Sequence, residues 1–409
     1  MASRLADLIL AKSKTTGDSA ALDLPVESLS ISSEQPQTPS ATSTSNPATE
    51  TSTEPTPPTS TPSSSSKPLI VPFPPANGSE AEDGFLYVPA GSNDLVIIDE
   101  LANLDHTASW PVWSVPPPPP PAERCFYIET AEGKGMGMFA SRPIKKGELI
   151  IEERPLFVTR LQPDEASDGT FEMAALKHLN PSTRERFLSL SNAQDPHINR
   201  LPGILLTNLF AIDFDYESSD EHLGGGVYEF ICRANQDCVP STHYHFNFKT
   251  FTGRLFATRD ISKGEEISVT YAALLASGAT RRRALSKKYR FDCLCPTCTL
   301  PEDLAAQSDA RRAELSRFDT FVRGGGMPSY PMLMDALKVA EKEGLASERA
   351  HVLLAGTKAL SRSRQLETAL DWATKTREAF ELLEGPVSFY STLAREHEEA
   401  LEAKLHPKA

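Results

Sequence analysis

CRANQDCVPST, residues 232–242, places Asn235, Cys238 and Pro240 within one polar turn. Three further cysteines crowd into FDCLCPTC, where Cys293, Cys295 and Cys298 have metal-ligand spacing rather than the spread of a disulfide framework. Two thiolates separated by one residue, with a third just beyond, can wrap one side of a tetrahedral ion. A fourth ligand must then come from elsewhere, and the candidates are Cys125, Cys232, Cys238 and the histidines. Whether residues 232–242 are an ordinary turn or half of a site depends on what surrounds them.

An internal echo brackets the turn. ASRPIKKGELI (140–150) and ATRDISKGEEI (257–267) share Ala, Arg, Ile, Lys, Gly, Glu and Ile at matching offsets. Each reads as a short strand, a turn closed by Gly147 or Gly264, and a second strand; Pro143 and the β-branched residues oppose a helix. Ahead of the first copy stands GKGMGMFA (133–140). Its glycines invite a dinucleotide-fingerprint reading, but that fingerprint must open a helix, and here a strand hairpin is predicted. The glycines do permit close approach of a ligand to bare backbone.

Between the copies, FEMAALKHLNPSTRERFLSL and GILLTNLFAI carry apolar residues at helical spacing, which predicts a helical insertion over about 160–225. SSDEHLGGG (218–226) reads as a loop. In STHYHFNFKT, Tyr244, Phe246 and Phe248 alternate with polar residues, as in a half-buried strand. His243 and His245 share one face of it, as metal ligands or as its polar side. GEEISVTY ends a strand at Tyr271. From 301 to 409 the pattern is helical, with breaks at Gly344 and GPVS, and reads as stacked hairpins of tetratricopeptide type.

The whole is therefore expected to be α+β. Residues 1–83, rich in Ser, Thr and Pro, cannot bury enough apolar surface to offset their ordering entropy and are expected to be disordered. Residues 84–122 hold strand-like runs and the polyproline spacer PPPPPP (116–121). The formal net charge of -14 opposes nucleic-acid binding across the surface. RRRALSKKYR (281–290) reads as a solvated helix face that could steer an acidic partner. No apolar run approaches the roughly 20 residues of a membrane span, and the first residues lack the basic start and apolar length of a signal peptide. The expected location is intracellular, cytoplasmic and/or nuclear, where thiols stay reduced.

Taken in order, GKGMGMFASRPIKKGELIIEERP, GILLTNLF, CRANQDCVPS, GEEISVTY and FDCLCPTC resemble the SET-domain protein lysine methyltransferases, in particular the SET-and-MYND (SMYD-type) branch and its fungal relatives. The likeness runs from about 124 to 300; the MYND zinc finger is missing. The resemblance implies a SET domain at 123–275 with a knot-like threading near its site, a zinc-binding post-SET segment at 276–300 and a helical C-terminal domain. It implies S-adenosylmethionine (SAM) as methyl donor and a structural zinc ion. The backbone around Lys134, Gly135 and Met136 would contact the cofactor, together with Asn235 and Gln236, and Phe291 would stack near its adenine. Cys238 would join Cys293, Cys295 and Cys298 on zinc, and Tyr271 would be the active-site tyrosine. The partner would be a protein presenting a lysine, histone or non-histone, with further protein partners on the C-terminal helices.

These residue types suit the chemistry. Methyl transfer is an in-line displacement, so catalysis is mostly alignment of a neutral lysine nitrogen with a methyl carbon. The family pattern is close to Arg-x-Asn-His-Ser-Cys-x-Pro-Asn. Arg233, Asn235, Cys238 and Pro240 match it, whereas Gln236 stands for the histidine, Asp237 for the serine and Ser241 for the last asparagine. Those three departures raise the alternative of a catalytically degenerate SET module acting as a protein-binding scaffold.

Overall fold

The computed structural model describes residues 69–73, 84–88, 94–100, 123–159, 169–213 and 223–406. Three strands come first, β1 (Leu69–Phe73), β2 (Gly84–Val88) and β3 (Val96–Glu100), paired antiparallel in succession. β1 lies inside the stretch expected to be disordered, and this corrects that expectation. LIVPF is an apolar, partly β-branched run within polar sequence, and it takes the edge position where a proline is tolerated. The rest of the 1–83 stretch and the polyproline run lie outside the described residues.

The hairpin β4 (Phe126–Ala131) and β5 (Gly135–Ala140) follows, then β6 (Leu149–Glu153) and β7 (Phe157–Thr159). GKGMGM thus supplies the end of a hairpin turn and the first residues of β5 rather than opening a helix, as its context predicts. Helices α1 (Thr170–His178), α2 (Pro181–Leu188) and α3 (Arg200–Asn208) form the insertion. Asn180 caps α2 by accepting the Thr183 N–H at 2.9 Å, with Pro181 in the first turn where its missing donor costs nothing.

Two readings are corrected here. The helix expected to run through Ile212 ends at Asn208, and Phe210–Asp213 is strand β8. LGGG, read as loop, belongs to β9 (Leu223–Val227), which pairs antiparallel with β8 and β7. A Cβ on Gly225 would stand 2.6 Å from Leu209 Cδ2, and one on Gly226 2.6 Å from Ile212 Cδ1. The glycines are there because neighbouring side chains fill the space a Cβ would need. β3 meets β7 in parallel, giving a six-stranded sheet in the order β1-β2-β3-β7-β9-β8.

The remaining strands are β10 (Asn235–Gln236), β11 (Thr242–Asn247), β12 (Thr252–Ala257) and β13 (Glu266–Val269). They build a four-stranded sheet, β10-β13-β5-β4, and a three-stranded one, β11-β12-β6. The two copies of the echo interlock around a local two-fold axis. Ile144 and Ile261 exchange both backbone hydrogen bonds at 2.9 Å. Gly147 donates to Ala257 as Gly264 donates to Ala140, both at 2.8 Å. Arg142 pairs with Glu148 at 2.6 Å as Arg259 pairs with Glu265 at 2.5 Å. Gly147 (φ 82°) and Gly264 (φ 81°) take the left-handed turn position that a Cβ would strain. Buried Met138, Ile144, Ile261, Ile267 and Val269 lie in the core beneath this crossing.

Beyond α4 (Gly278–Tyr289) the chain is helical: α5 (Glu302–Arg323), α6 (Tyr330–Lys342), α7 (Ala346–Arg362), α8 (Leu366–Glu384) and α9 (Phe389–Leu405). Helices α7, α8 and α9 pack in succession around Leu353, Trp372, Phe380 and Leu383. The predicted breaks fall where expected, at Gly344 (φ 68°) and Gly385 (φ 81°). α8 also packs on β11 and β12, which joins the helical part to the β core. The architecture is α+β.

Candidate active site and cysteine cluster

The turn at 232–242 and the segment at 291–298 come together. The sulfurs of Cys238, Cys293, Cys295 and Cys298 all lie within 4.8 Å of one another, and Cys238 Sγ is 3.6 Å from Cys298 Sγ. Zn–S bonds of about 2.3 Å in a tetrahedron call for sulfur separations of about 3.8 Å, which the Cys238–Cys298 distance approaches. Cys238, Cys293 and Cys295 are buried. Of the other candidate ligands, Cys232 donates to the Asn208 carbonyl at 3.3 Å and Cys125 to that of Ile150 at 3.6 Å. His243 and His245 instead face the two carboxylate oxygens of Glu384 on α8, each at 3.8 Å. The histidine pair therefore joins the β core to the helical part.

The α5 helix reaches the same turn. Arg312, fully buried, donates to the Cys238 carbonyl at 3.2 Å and to the Leu274 carbonyl at 2.5 Å. Its charge is balanced by Glu343, 3.0 Å away, which also binds Arg311 and Ser308.

Residues singled out in the glycine turn adjoin the other half of the site. Lys134 lies in the β4–β5 turn and Gly135 opens β5, and a Cβ on Gly133 or Gly135 would meet no atom within 4 Å. Bare backbone therefore borders open space. Asn235 on β10 sends its Nδ2 to Glu266 Oε1 (2.8 Å) and to the Met136 carbonyl (3.4 Å). Glu266 also holds Lys134 Nζ at 2.6 Å. Met136 remains 39% exposed, an apolar side chain beside the opening.

Tyr271 follows β13, and its hydroxyl donates to the Ala234 carbonyl at 2.8 Å. Burial, with Tyr289 beside it, pushes its phenol above the ordinary range, so it stays protonated near neutrality. Tyr271 and Tyr289 rings lie 4.9 Å apart, and Tyr289 and Phe291 6.4 Å apart. This aromatic row packs against the cysteine cluster. Gln236 is buried; its Oε1 accepts the Tyr271 N–H and its Nε2 donates to Cys238 Sγ at 3.5 Å.

The two other departures from the family pattern are also accommodated. Asp237 accepts the Val239 N–H at 2.8 Å, which closes the turn ahead of Pro240. Ser241 and Ser268 bond reciprocally: each backbone N–H meets the other's hydroxyl, at 3.0 and 2.9 Å. None of the three leaves the turn distorted or its side chain unsatisfied.

Sequence reasoning missed Glu266, Tyr289 and Arg312. Glu266 had a signal: it stands at the one place after the glycine where the echo breaks, Leu149 being its counterpart. Tyr289 was hidden in a run read for its positive charge, and nothing local sets Arg312 apart.

Comparison with known proteins matches residues 135–272 to the SET domain family. Over 187 residues the chain is 31% identical to "Histone-lysine N-methyltransferase set5" of Schizosaccharomyces pombe, a match covering 46% of this chain and 54% of that protein. It is 26% identical over 213 residues to "Putative SET domain-containing protein L678" of Acanthamoeba polyphaga mimivirus, covering 45% of this chain and 81% of that one. Over 133 residues it is 31% identical to "Histone-lysine N-methyltransferase Smyd1" of Mus musculus, covering 29% of this chain and 27% of that protein. The match thus spans about half the length of the fission-yeast relative. Among the described residues no helix is long and apolar enough to cross a membrane.

Proposed function

From the SET domain that this chain carries, we propose that the protein is a protein-lysine N-methyltransferase using SAM as donor. The observation that carries this reading is the continuity of the site. Lys134, Glu266, Asn235 and Met136 are bonded in one line, Gln236 follows Asn235, and Gln236 bonds Tyr271 and Cys238. Substituted positions that remain bonded and packed do not favour the degenerate-scaffold reading.

When bound, SAM supplies an electrophilic methyl group on a sulfonium. The open backbone at Gly133–Met136 and the amide of Asn235 would hold it, with Glu266 orienting that amide and placing a carboxylate beside a cationic ligand. Phe291 would cover the adenine, and the cysteine cluster, holding zinc, would fix the segment that carries Phe291. Tyr271, kept protonated, would act as a hydroxyl rather than as a base. Together with nearby backbone carbonyls it would position the incoming lysine nitrogen. That lysine must arrive neutral, and its proton leaves to solvent rather than to Tyr271.

The substrate is a protein presenting a lysine on a histone or non-histone surface, and the C-terminal helices offer a second protein-binding face. The six cysteines form no disulfide, which fits a reducing compartment, cytoplasmic and/or nuclear. Titration calorimetry of the full chain with SAM tests the cofactor assignment. Saturable binding that Asn235→Ala weakens supports it, and absence of binding to zinc-loaded protein contradicts it.

A further inference from the structure

We infer that Gln236 is a positioning residue that couples the cysteine cluster to Tyr271, one side-chain amide bonding both; the inference rests on the function proposed above. The amide can be oriented in only one way. The Tyr271 backbone N–H can only donate, so Oε1 must face it, which aims Nε2 at the Cys238 sulfur 3.5 Å away. Gln236 is 5% exposed and sits on β10 beside β13, the strand that leads into Tyr271. A buried amide paired at both ends is held in one geometry. It links Cys238 to the backbone of Tyr271 through two hydrogen bonds, beside the aromatic row that packs on the same cluster.

The chemistry of the pair gives the amide two duties. An N–H donor on a metal-bound thiolate stabilises its negative charge and fixes the direction of its lone pairs, and partners of this kind tune metal retention. An acceptor on the Tyr271 N–H fixes the residue whose hydroxyl already bonds Ala234. A neutral imidazole also offers one donor and one acceptor in a single plane. Glutamine therefore reproduces the bonding, though not the shape, of the histidine that the family pattern carries here. The substitution preserves the link rather than removing it.

Three variants separate the duties in the full chain. Gln236→Glu keeps an acceptor for Tyr271 and loses the donor to Cys238; Gln236→Met loses both; Gln236→His offers both. Zinc transfer to a chromogenic chelator is measured first. We expect the Glu and Met variants to release zinc about 10- to 100-fold faster than wild type, with the His variant closest to wild type. Equal release by wild type, Glu and Met proteins overturns the sulfur half of the inference. The split between kcat and KM for methyl transfer is measured next, with and without excess zinc. Excess zinc should restore kcat to the Glu variant and leave the Met variant low, because only the latter lacks the Tyr271 acceptor. Equal restoration of both overturns the Tyr271 half. If wild-type protein transfers no methyl group at all, the proposed function fails, while the zinc-release ranking still decides the amide–sulfur bond.

Discussion

The Tyr271 hydroxyl donates to the Ala234 carbonyl at 2.8 Å, which ties the end of β13 to the residue immediately before Asn235. The active-site candidate and the cofactor-side candidate are therefore held by one hydrogen bond. Tyr271→Phe removes it while keeping the ring that packs, tilted, against Tyr289. We expect a stability loss of about 1 kcal/mol. The rate of methyl transfer should fall by about 10²- to 10³-fold, the usual consequence of deleting a preorganised donor. Zinc content should not change. Denaturant unfolding, metal analysis and steady-state kinetics on the same preparation check all three.

Cys295→Ser should release metal and lower the melting temperature, because its sulfur belongs to a cluster whose members all lie within 4.8 Å. Each kcal/mol lost corresponds to roughly 2–4 °C for a folded part of this size. Metal content by mass spectrometry and a thermal scan check it; unchanged values for both would remove zinc from the account.

Glu343→Gln should be more damaging than its position far from the site suggests. It leaves Arg312 buried with its counter-charge removed and Arg311 unpaired at the same point. Breaking a buried pair in this way costs about 3–5 kcal/mol. Since Arg312 also holds the Cys238 carbonyl, zinc retention should fall with it. The double change Arg312→Met with Glu343→Leu should recover much of the stability, and urea unfolding of both proteins tests this.

Acid should weaken the fold through buried histidines. Burial lowers His245 from 6.5 to about 4, and His351 likewise from 6.5 to about 4. Between those values the unfolded chain binds more protons than the folded one, so stability rises with pH there. It is fully present above about 6.5 and is lost as pH falls toward 4, by on the order of 3 kcal/mol per histidine at full extent. Unfolding free energy measured from pH 4 to 7 should show this slope. His351→Phe should flatten part of it.

Much of the fold was legible because it is built from local signals. The echo at 140–150 and 257–267 predicted two strand–turn–strand units, and its shared Arg, Gly and Glu make the same contacts in both copies. The units are not the hairpins the pattern suggested: the two strands of each enter different sheets, and pairing runs between the copies, β5 with β13 and β6 with β12. Cys238 was legible as the fourth sulfur through the resemblance, since no spacing rule joins residues 60 positions apart. What stayed hidden depends on tertiary contact. Gly225 and Gly226 read as loop because their purpose, room for Leu209 and Ile212, is set by side chains from other elements. Arg312 looks like any surface arginine of a charged helix until Glu343 and Cys238 are brought to it. Gln236 looked like a defect in the sequence, and its partners appear only once β10 lies beside β13.

The central claim is methyl transfer that depends on Tyr271. Full-length protein, zinc-loaded, is incubated with methyl-labelled SAM and panels of histones and cytosolic proteins, alongside the Tyr271→Phe protein at equal concentration. The account predicts label on a lysine of at least one panel protein, reduced by about 10²-fold or more in the variant. Cofactor binding without transfer, or transfer equal in the two proteins, would contradict it.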